Sequence, residues 1–394
     1  MVEVSQFKAV TLNPLLNESE TFVSPIYDTI DEGVYESYAS NRRNIIHAIK
    51  RREGSSLDEF VELADSTIKM LFADRVLKEI EHESLYIYSI RYTIPDELQS
   101  EMAGDPGKRD LTLLGIVALV AIDDTGDEIV GHETVFDANT DERYQLMKKC
   151  RMNFSPILAE YNEDDTKINQ ILMTYITKNP SLIEIKHDGE CHSLWEIKDQ
   201  EICEYVIRSL KGQKLMILDG HHRYAASRRL KTIDGVDRTM MMLVGGGDPN
   251  LLLLPWHRCI TGINTERLSA IVQEYVGSSY DDYAAFIEVF KIKDEASSAL
   301  YDGSSFKILE GLDIFKLQKM IIDPLIEKGG KISFRPTIKD AVELVDQGRC
   351  MATFIVQAPK IGVIEDMAHR GIPLPQKSTR FLPKVMEGII LRRF

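Results

Sequence analysis

The chain has 394 residues, of which 44% are hydrophobic and 8% aromatic, and its formal net charge is −15. This length allows two or three domains of roughly 150 residues, with enough apolar side chains for a sizeable core. The acidic charge argues against a general nucleic-acid-binding protein, which needs a basic face. The sequence contains no run of about 20 apolar residues, so no membrane span is predicted. Five cysteines without a CxxC pair predict neither a disulfide framework nor a zinc site, and we expect a cytoplasmic protein.

Two helices are predicted near the N-terminus, over 31–51 and 57–81, and the second has a clear amphipathic pattern. The first contains Arg43, a candidate phosphate ligand. A charged helix face of this kind is usually only solvated, and that reading stays open for Arg43.

Strand patterns dominate the next stretch. Residues 85–92 alternate in polarity, and residues 112–122 form a strongly apolar run. The sequence Asp123-Asp-Thr-Gly126 is typical of a turn and predicts a hairpin with the strand that follows.

The return strand ends at Gly131-His-Glu-Thr134, which places Glu133 where the chain leaves the sheet. A basic helix over 141–152 follows and contains Arg151. Because α/β proteins bind ligands at strand ends beside helix starts, Glu133 and Arg151 are candidate site residues. A solvated helix is the alternative for Arg151. Further along, helices are predicted at 167–178 and 200–210, and strands at 182–186 and 192–197.

The most informative motif is Asp219-Gly-His-His-Arg-Tyr224, which follows a buried-strand pattern at 215–218 and begins a helix. The first amides of a helix lack backbone partners, and with the helix dipole they attract anions such as phosphate. Two imidazoles and the guanidinium of Arg223 add donors in the same turn, and Arg223 can bind phosphate oxygens bidentately. Asp219 can accept a proton or hold a metal ion. The alternative is a polar helix start capped by Asp219, but the density of polar side chains favours an anion site.

The C-terminal part contains two further basic motifs. Pro255-Trp-His-Arg258 is a second His-Arg pair at the end of an apolar run. The extended tail from Pro373 to Lys384 carries Lys377, Ser378 and Thr379 as additional donors. A tail of this composition can close over an anion, or it can be plain surface.

Alternating strand and helix patterns predict a mixed α/β (α+β) fold. We expect residues 1–260 to form the N-terminal and catalytic region. Residues 261–394 are expected to form a smaller α/β domain whose basic tail returns to the cleft.

Six motifs together resemble a known family. In addition to the three motifs at 131–134, 219–224 and 255–258, they are Pro25-Ile-Tyr-Asp28, Arg151-Met-Asn-Phe-Ser-Pro156 and Lys377-Ser-Thr-Arg-Phe-Leu-Pro-Lys384. Their order and the chain length are similar to those of a widespread family of proteins of unknown function. The central motif is also similar to the phosphate-contacting motif of the ParB/sulfiredoxin superfamily, which includes kinases of free serine, among them pyrophosphate-dependent ones.

The resemblance implies a ParB/sulfiredoxin-like core and transfer of a phosphoryl group from pyrophosphate to the hydroxyl of L-serine, with Mg²⁺ as cofactor. It implies catalytic roles for Asp219, His222 and Glu133, with Asp219 also a candidate metal ligand. Nucleic acid and membranes are not expected as partners. The residues implied to bind substrate or phosphate are Gly220, His221, Arg223, Arg43, Arg151, His257, Arg258, Lys377, Ser378, Thr379 and Lys384.

Several alternatives stay open. The donor can be ATP or ADP, since the sequence does not measure the donor pocket. A ParB-like nucleotide-gated DNA switch would need a basic helix-turn-helix, which neither charge nor pattern supplies. A sulfiredoxin-like reductase would need a reactive cysteine, for which Cys259 is the nearest candidate in sequence. A non-catalytic metabolite-binding protein is the remaining alternative.

Overall fold

The structure is a computed structural model that describes residues 1–102, 109–162, 167–293 and 297–394. The chain forms two compact units. The first unit comprises Met1–Tyr92, Thr112–Leu251 and Pro383–Phe394, and the second comprises Thr93–Leu111 and Leu252–Leu382.

The described strands are numbered here in chain order. They are β1 (Val4–Ser5), β2 (Ala9–Leu12), β3 (Leu77–Glu79), β4 (Tyr86–Thr93), β5 (Asp110–Ala121), β6 (Ile129–Gly131), β7 (Met152–Asn153), β8 (Ile157–Tyr161), β9 (Ile183–His187), β10 (Glu190–Glu196), β11 (Leu215–Asp219), β12 (Arg238–Gly245), β13 (Leu252–Leu254), β14 (His257–Thr261), β15 (Val276–Tyr280), β16 (Ser297–Tyr301), β17 (Phe306–Glu310), β18 (Lys331–Arg335), β19 (Ala352–Val356), β20 (Arg380–Leu382) and β21 (Ile390–Arg393).

The described α-helices follow the same numbering rule. They are α1 (Glu32–Ala39), α2 (Ile46–Ile49), α3 (Leu57–Ala73), α4 (Asp96–Glu101), α5 (Asp137–Cys150), α6 (Ile168–Lys178), α7 (Gln200–Leu210), α8 (His221–Asp234), α9 (Thr265–Val272), α10 (Tyr283–Phe290), α11 (Ile314–Lys316), α12 (Asp323–Glu327), α13 (Ile338–Asp346) and α14 (Ile361–His369). A π-helical segment, Leu317–Ile322, joins α11 to α12, and short 3-10 turns lie at Ser19–Phe22, Tyr27–Thr29 and Gln273–Tyr275.

The first unit contains a large mixed sheet with the strand order β6-β11-β8-β12-β5-β4-β10-β9, and β1 pairs with β5. β11 runs parallel to β6, and β12 runs parallel to β8, whereas the other pairs are antiparallel. A second sheet has the order β3-β2-β21-β7 and brings the last strand of the chain into this unit. This architecture confirms the predicted mixed α/β class, while a ParB/sulfiredoxin-like core stays a prediction.

The predicted hairpin between β5 and the following strand is wrong. β6 pairs with β11, so the chain turns away from β5 after Ala121. The Asp123 carboxylate accepts hydrogen bonds from the backbone amides of Thr125, Glu128 and Ile129. These bonds satisfy the turn locally and direct β6 towards a strand that lies more than 80 residues further along the chain.

Two helix predictions run past the observed ends. The helix expected over 31–51 is broken between α1 and α2. There the side-chain oxygens of Asn41 and Asn44 each accept a hydrogen bond from the backbone amide two residues ahead. The helix expected over 57–81 begins with a capping box of Ser56 and Glu59 and ends at Ala73. Arg75 then adopts a left-handed conformation with φ 57°. No helix in the described residues is both long enough and apolar enough to cross a bilayer.

The second unit contains an antiparallel sheet with the order β15-β17-β16-β19-β14-β18 and a two-stranded ribbon of β13 and β20. From the sequence, the second domain was expected to begin at residue 261. In the structure, β14 pairs with β18 and β19 and so lies in the second unit. Residues Pro383–Phe394 lie in the first unit because β21 pairs with β2 and β7. Both assignments follow from strand pairs that are distant in sequence.

Candidate functional site

The strand-to-helix turn after β11 depends on a glycine. Gly220 has a φ of 98°, a left-handed conformation that side chains other than glycine rarely adopt. A Cβ atom at this position would lie 2.8 Å from Nη2 of Arg223. The turn therefore lets the Arg223 side chain fold back over the start of α8. No side chain caps the N-terminus of α8, so its first backbone amides are available to bind an anion in front of the turn.

Asp219 at the end of β11 is held between two cations. Nη2 of Arg223 donates to Oδ2 at 2.7 Å, and Nζ of Lys384 donates to Oδ1. The side chains of Asp219 and Arg223 are only 11% and 8% exposed. Burial raises the pKa of Asp219, but the charges of Lys384 and Arg223 outweigh it and hold the pKa well below its usual range. Asp219 is therefore ionised, and both of its oxygens are already engaged.

Arg223 is fixed by three acceptors. Besides Asp219, its Nη1 donates to Ser155 Oγ at 2.7 Å and to the Pro156 carbonyl at 2.8 Å. Both acceptors belong to the Asn-Phe-Ser-Pro motif, which the sequence analysis had quoted without giving these two residues a role. The guanidinium thus has one orientation, which is what bidentate recognition of an anion requires.

Lys384 reaches the site from the end of the chain. It lies between β20 and β21, and β21 is anchored beside β2 and β7 in the first unit. Burial lowers its pKa, but the Asp219 carboxylate more than compensates, and the pKa is raised overall. Lys384 is therefore a charged lysine at the same carboxylate as Arg223.

Glu133 and His221 form a second pair beside this turn. His221 is buried, and its Nδ1 lies 3.3 Å from Oε2 of Glu133. The backbone amide of His132 donates to Nε2 of His221 at 3.2 Å. Because Nε2 accepts this bond, Nδ1 is assigned as the protonated ring nitrogen that faces Glu133.

The electrostatic surroundings of this pair shift two pKa values. Burial raises the pKa of Glu133, but its hydrogen bond with His221, together with the two neighbouring imidazoles, lowers it to about 2. Burial and the neighbouring His221 lower the pKa of His132 to about 3. Glu133 is ionised and His132 is neutral at neutral pH.

His222 points to a different surface from His221. Its Nε2 lies 3.5 Å from Nδ2 of Asn139, and its ring centroid is 6.0 Å from that of Phe136. It is half-buried at the same helix end and contacts the region where α5 begins.

A buried carboxyl group that the sequence did not predict lies behind Arg223. Glu387 is 1% exposed, and its pKa is raised by burial even though the charge of Arg223 lowers it. Arg143 lies beside it in the same small cavity, with its guanidinium 4.1 Å from the centre of the Tyr27 ring. Burial raises the pKa of Tyr27 to about 12, although Arg143 opposes the shift. An isolated glutamate in a tail carries no sequence pattern that would have identified it.

Two predicted phosphate ligands have partners elsewhere. Arg43 forms an ion pair with Asp74 at 2.8 Å. Arg151 donates to the backbone carbonyl of Phe394 at 3.2 Å and stacks on its ring at 4.9 Å. Within the described residues, the structure does not bring either arginine into contact with Asp219.

The remaining predicted ligands lie in the second unit. They are His257, Arg258, Lys377, Ser378 and Thr379. His257 and Arg258 are buried in β14, and Lys377 lies 5.1 Å from the centre of the Trp256 ring. Ser378 donates to the Pro375 carbonyl at 2.6 Å.

The described residues do not fit a resident Mg²⁺ site. They contain no group of three or more His, Cys, Asp or Glu side chains that could hold a metal. Both oxygens of Asp219, the predicted metal ligand, bind cations instead. A hard cation needs free oxygen ligands, and Asp219 offers none. The expected Mg²⁺ therefore stays a prediction.

The first unit thus gathers Asp219, Gly220, His221 and Arg223 with Glu133 and Lys384 at one turn. The cations of Arg223 and Lys384 and the uncapped first amides of α8 make the turn suited to an anion. The ionised Glu133 beside it supplies a proton acceptor.

Comparisons with known proteins place the chain in a family but give it no activity. A search of curated proteins found no match. Among solved structures, the chain is similar to a free serine kinase in complex with AMP, with 17% identity, 69% of this chain and 92% of that chain covered, and a TM-score of 0.40. A conserved hypothetical protein from Pyrococcus furiosus has 17% identity, 70% and 94% coverage and a TM-score of 0.41.

A C-terminally truncated SbnI from Staphylococcus aureus has 15% identity, 69% and 85% coverage and a TM-score of 0.40. With TM-scores below 0.5, none of these three similarities assigns a fold or a function to this chain. The family match is more extensive, because the model of a family of proteins of unknown function, DUF1015, matches residues 4–325. The chain therefore belongs to the DUF1015 family.

Proposed function

We propose that this chain is a phosphotransferase that moves a phosphoryl group from pyrophosphate to the hydroxyl of L-serine, giving O-phospho-L-serine and orthophosphate. The observation that carries the proposal is a pair of cations, the buried Arg223 and the half-buried Lys384, held on Asp219 beside the uncapped start of α8. The motif at 219–224, which resembles the phosphate-contacting motif of serine kinases, supports the same assignment.

Phosphoryl transfer needs charge neutralisation and in-line placement, with little covalent work from the protein. Arg223 and the first amides of α8 supply the neutralisation, and Ser155 and Pro156 keep the guanidinium in place. Pyrophosphate is compact and highly charged, so it needs no nucleotide pocket. The sequence contains neither a GxxxxGK[ST] loop nor a GxGxxG loop, which favours pyrophosphate over ATP or ADP as donor.

The serine oxygen attacks one phosphorus of pyrophosphate, the bridging P–O bond breaks, and orthophosphate leaves. The hydroxyl proton must pass to a base, and Glu133 fits this role better than Asp219. Asp219 binds two cations with its two oxygens, whereas Glu133 is 38% exposed and has one neighbouring imidazole. An arriving phosphate anion raises the pKa of Glu133 and makes it a better base. Asp219 then positions Arg223 and Lys384, and His222 is a second candidate for proton transfer.

The test is an assay of the purified full-length chain with L-serine and either pyrophosphate, ATP or ADP, scored for O-phosphoserine. We expect product with pyrophosphate in the presence of Mg²⁺, and we expect EDTA to abolish turnover. Product with ATP or ADP alone would overturn the donor assignment. No product with any donor would overturn the kinase assignment.

A Glu133→Gln variant tests the base. Loss of a general base lowers kcat by about 10²–10⁴-fold, and we expect this loss with a KM for serine near that of the wild type. Glu327→Gln, at an exposed position of α12, is the matched control and should retain full activity. A Glu133→Gln enzyme with normal kcat would remove Glu133 from the mechanism.

A further inference from the structure

Arg258 in β14 of the second unit is completely buried, with 0% of its surface exposed. Its Nη1 donates to the carbonyl of Trp256 at 2.8 Å, and its guanidinium lies 5.8 Å from the centre of the Phe334 ring. Nε and Nη2 are also buried, and neither has a hydrogen-bond partner among the described residues. The described part of the chain places no carboxylate in an ion pair with Arg258.

An unpaired buried charge is costly, because the protein interior does not replace the hydration that the guanidinium loses. Burial lowers the pKa of Arg258 to about 10, so the group is still charged at neutral pH. A buried cation with two unpartnered nitrogens has the donors that bidentate binding of an oxyanion needs.

Two more cations surround the same tryptophan. Nζ of Lys377 lies 5.1 Å and the guanidinium of Arg380 lies 5.5 Å from the centre of the Trp256 ring. Arg258, Lys377 and Arg380 therefore all contact Trp256, and we call these four residues the Trp256 cluster. Its three positive charges attract an anion more strongly than Arg258 would alone.

A cavity of about 230 Å³ adjoins the Trp256 cluster in the same unit. Arg380 belongs to both, and Pro255 and His257, the sequence neighbours of Trp256, also line the cavity. The other walls are largely apolar and include the side chains of Leu252, Leu254, Phe290, Ile338 and Val356. Small-molecule sites combine apolar walls with a few placed polar groups in this way.

We propose that the second unit binds a small organic anion, whose oxyanion head is recognised by the Trp256 cluster and whose apolar body occupies the adjoining cavity. A bare inorganic anion would satisfy the cations but leave the apolar walls uncovered. The head can be a carboxylate or a phosphate, since a guanidinium binds both in the same geometry. This proposal does not depend on the phosphotransferase activity of the first unit.

Tryptophan fluorescence gives a direct test. The chain has two tryptophans, so a Trp195→Phe variant leaves Trp256 as the only one. This variant, as the full-length chain, is titrated with hexanoate, hexyl phosphate and inorganic phosphate. We expect a saturable change in Trp256 emission with at least one of the two hexyl compounds, at about tenfold or more lower Kd than with inorganic phosphate. The compound that binds more tightly identifies the head group.

The role of Arg258 is tested in the same single-tryptophan background. Arg258→Met should raise the Kd of the preferred compound about tenfold or more, because bonds to a charged group are lost. Arg267→Met, at an exposed position of α9, is the matched control and should bind normally. If Arg258→Met does not fold, Lys377→Gln, at a half-buried position, takes its place with a smaller expected loss of affinity.

Three outcomes would overturn the proposal. They are the absence of a saturable change with both hexyl compounds, equal affinity for inorganic phosphate, and unchanged affinity in Arg258→Met or its substitute. Serine kinase assays of the same variants keep the two proposals separate, because loss of anion binding at Trp256 and loss of turnover are measured independently.

Discussion

Two buried arginines, one in each unit, have opposite electrostatic surroundings. Arg223 in the first unit binds Asp219, Ser155 and Pro156, and Asp219 also binds Lys384. Arg258 in the second unit binds only a backbone carbonyl, and two of its nitrogens have no partner among the described residues. The first site contains its own carboxylates, whereas the described residues place no carboxylate in an ion pair with Arg258.

The two arginines differ in how their positive charge is compensated when no ligand is bound. In the first unit, Asp219 keeps the cations in place before any anion arrives, so the site is organised in advance. In the second unit, a bound anion would have to compensate the charge of Arg258. Anion binding should therefore raise the free energy of unfolding of this unit. Replacements of Asp219, His132, Lys384 and Arg258 test this contrast.

Replacing Asp219 should cause the largest loss. Asp219→Asn leaves Arg223 and Lys384 without their carboxylate, and breaking a buried pair in this way costs about 3–5 kcal/mol in the free energy of unfolding. Urea denaturation at pH 7 measures the change. Asp127→Asn, at an exposed position, should stay within about 0.5 kcal/mol of the wild type. A fully stable Asp219→Asn protein would show that the two cations do not depend on Asp219.

Acid should destabilise the first unit through His132. Burial lowers its folded pKa to about 3, below the usual value of 6.5, so the unfolded chain binds a proton that the folded chain excludes. This stability is present above pH 6.5 and is lost as the pH falls towards 3, by up to about 1.4 kcal/mol per pH unit. His132→Gln should flatten the pH dependence of unfolding between these values. The exposed His82→Gln should not change it, and an unchanged slope in His132→Gln would contradict the prediction.

Replacing Lys384 should cost less than replacing Asp219. Lys384→Met removes one charged hydrogen bond, but Asp219 keeps its bond to Arg223, and we expect a loss of about 1–3 kcal/mol. The exposed Lys78→Met is the control for loss of a lysine charge in the same unit. A loss as large as that of Asp219→Asn would mean that Arg223 alone does not compensate the carboxylate.

Replacing Arg258 should have the smallest effect on stability, with the opposite sign. Arg258→Met removes an uncompensated buried charge and keeps most of the side-chain volume, so the variant should be as stable as the wild type or more stable by about 1 kcal/mol. Thermal unfolding in a buffer without organic anions measures this, with Arg267→Met as control. A loss of several kcal/mol would show that Arg258 has a compensating partner within the chain.

Part of the first site could be predicted from sequence. The apolar run at 215–218, the Asp-Gly turn and the helix that follows are local features, and the structure has them as β11, Gly220 and α8. Apolar periodicity and helix-capping residues act over one or two helical turns, so they can be recognised directly in the sequence. The hairpin after β5 was wrong for the opposite reason, because β6 pairs with a strand that is distant in sequence.

The partners of the predicted site residues were beyond the reach of pattern reading. Ser155, Pro156 and Glu387 carry no motif that points to Arg223, and the contact between Asp219 and Lys384 joins residues 165 positions apart. Arg43 and Arg258 look alike in sequence as basic residues beside a histidine or a second arginine. Their surroundings differ completely, since one is paired at the surface and the other is buried without a carboxylate.

Local sequence patterns were enough to predict the mixed class of the fold, most of its strands and helices, and the strand-to-helix turn at 219–224. These depend on short-range forces, namely apolar periodicity, helix capping and the conformational freedom of glycine. Long-range contacts fixed which charges meet, the division of the basic motifs between two units, and, within the described part of the chain, the presence of a counter-ion at Arg223 but not at Arg258. Those outcomes depend on long-range strand pairing and burial, which no local pattern encodes.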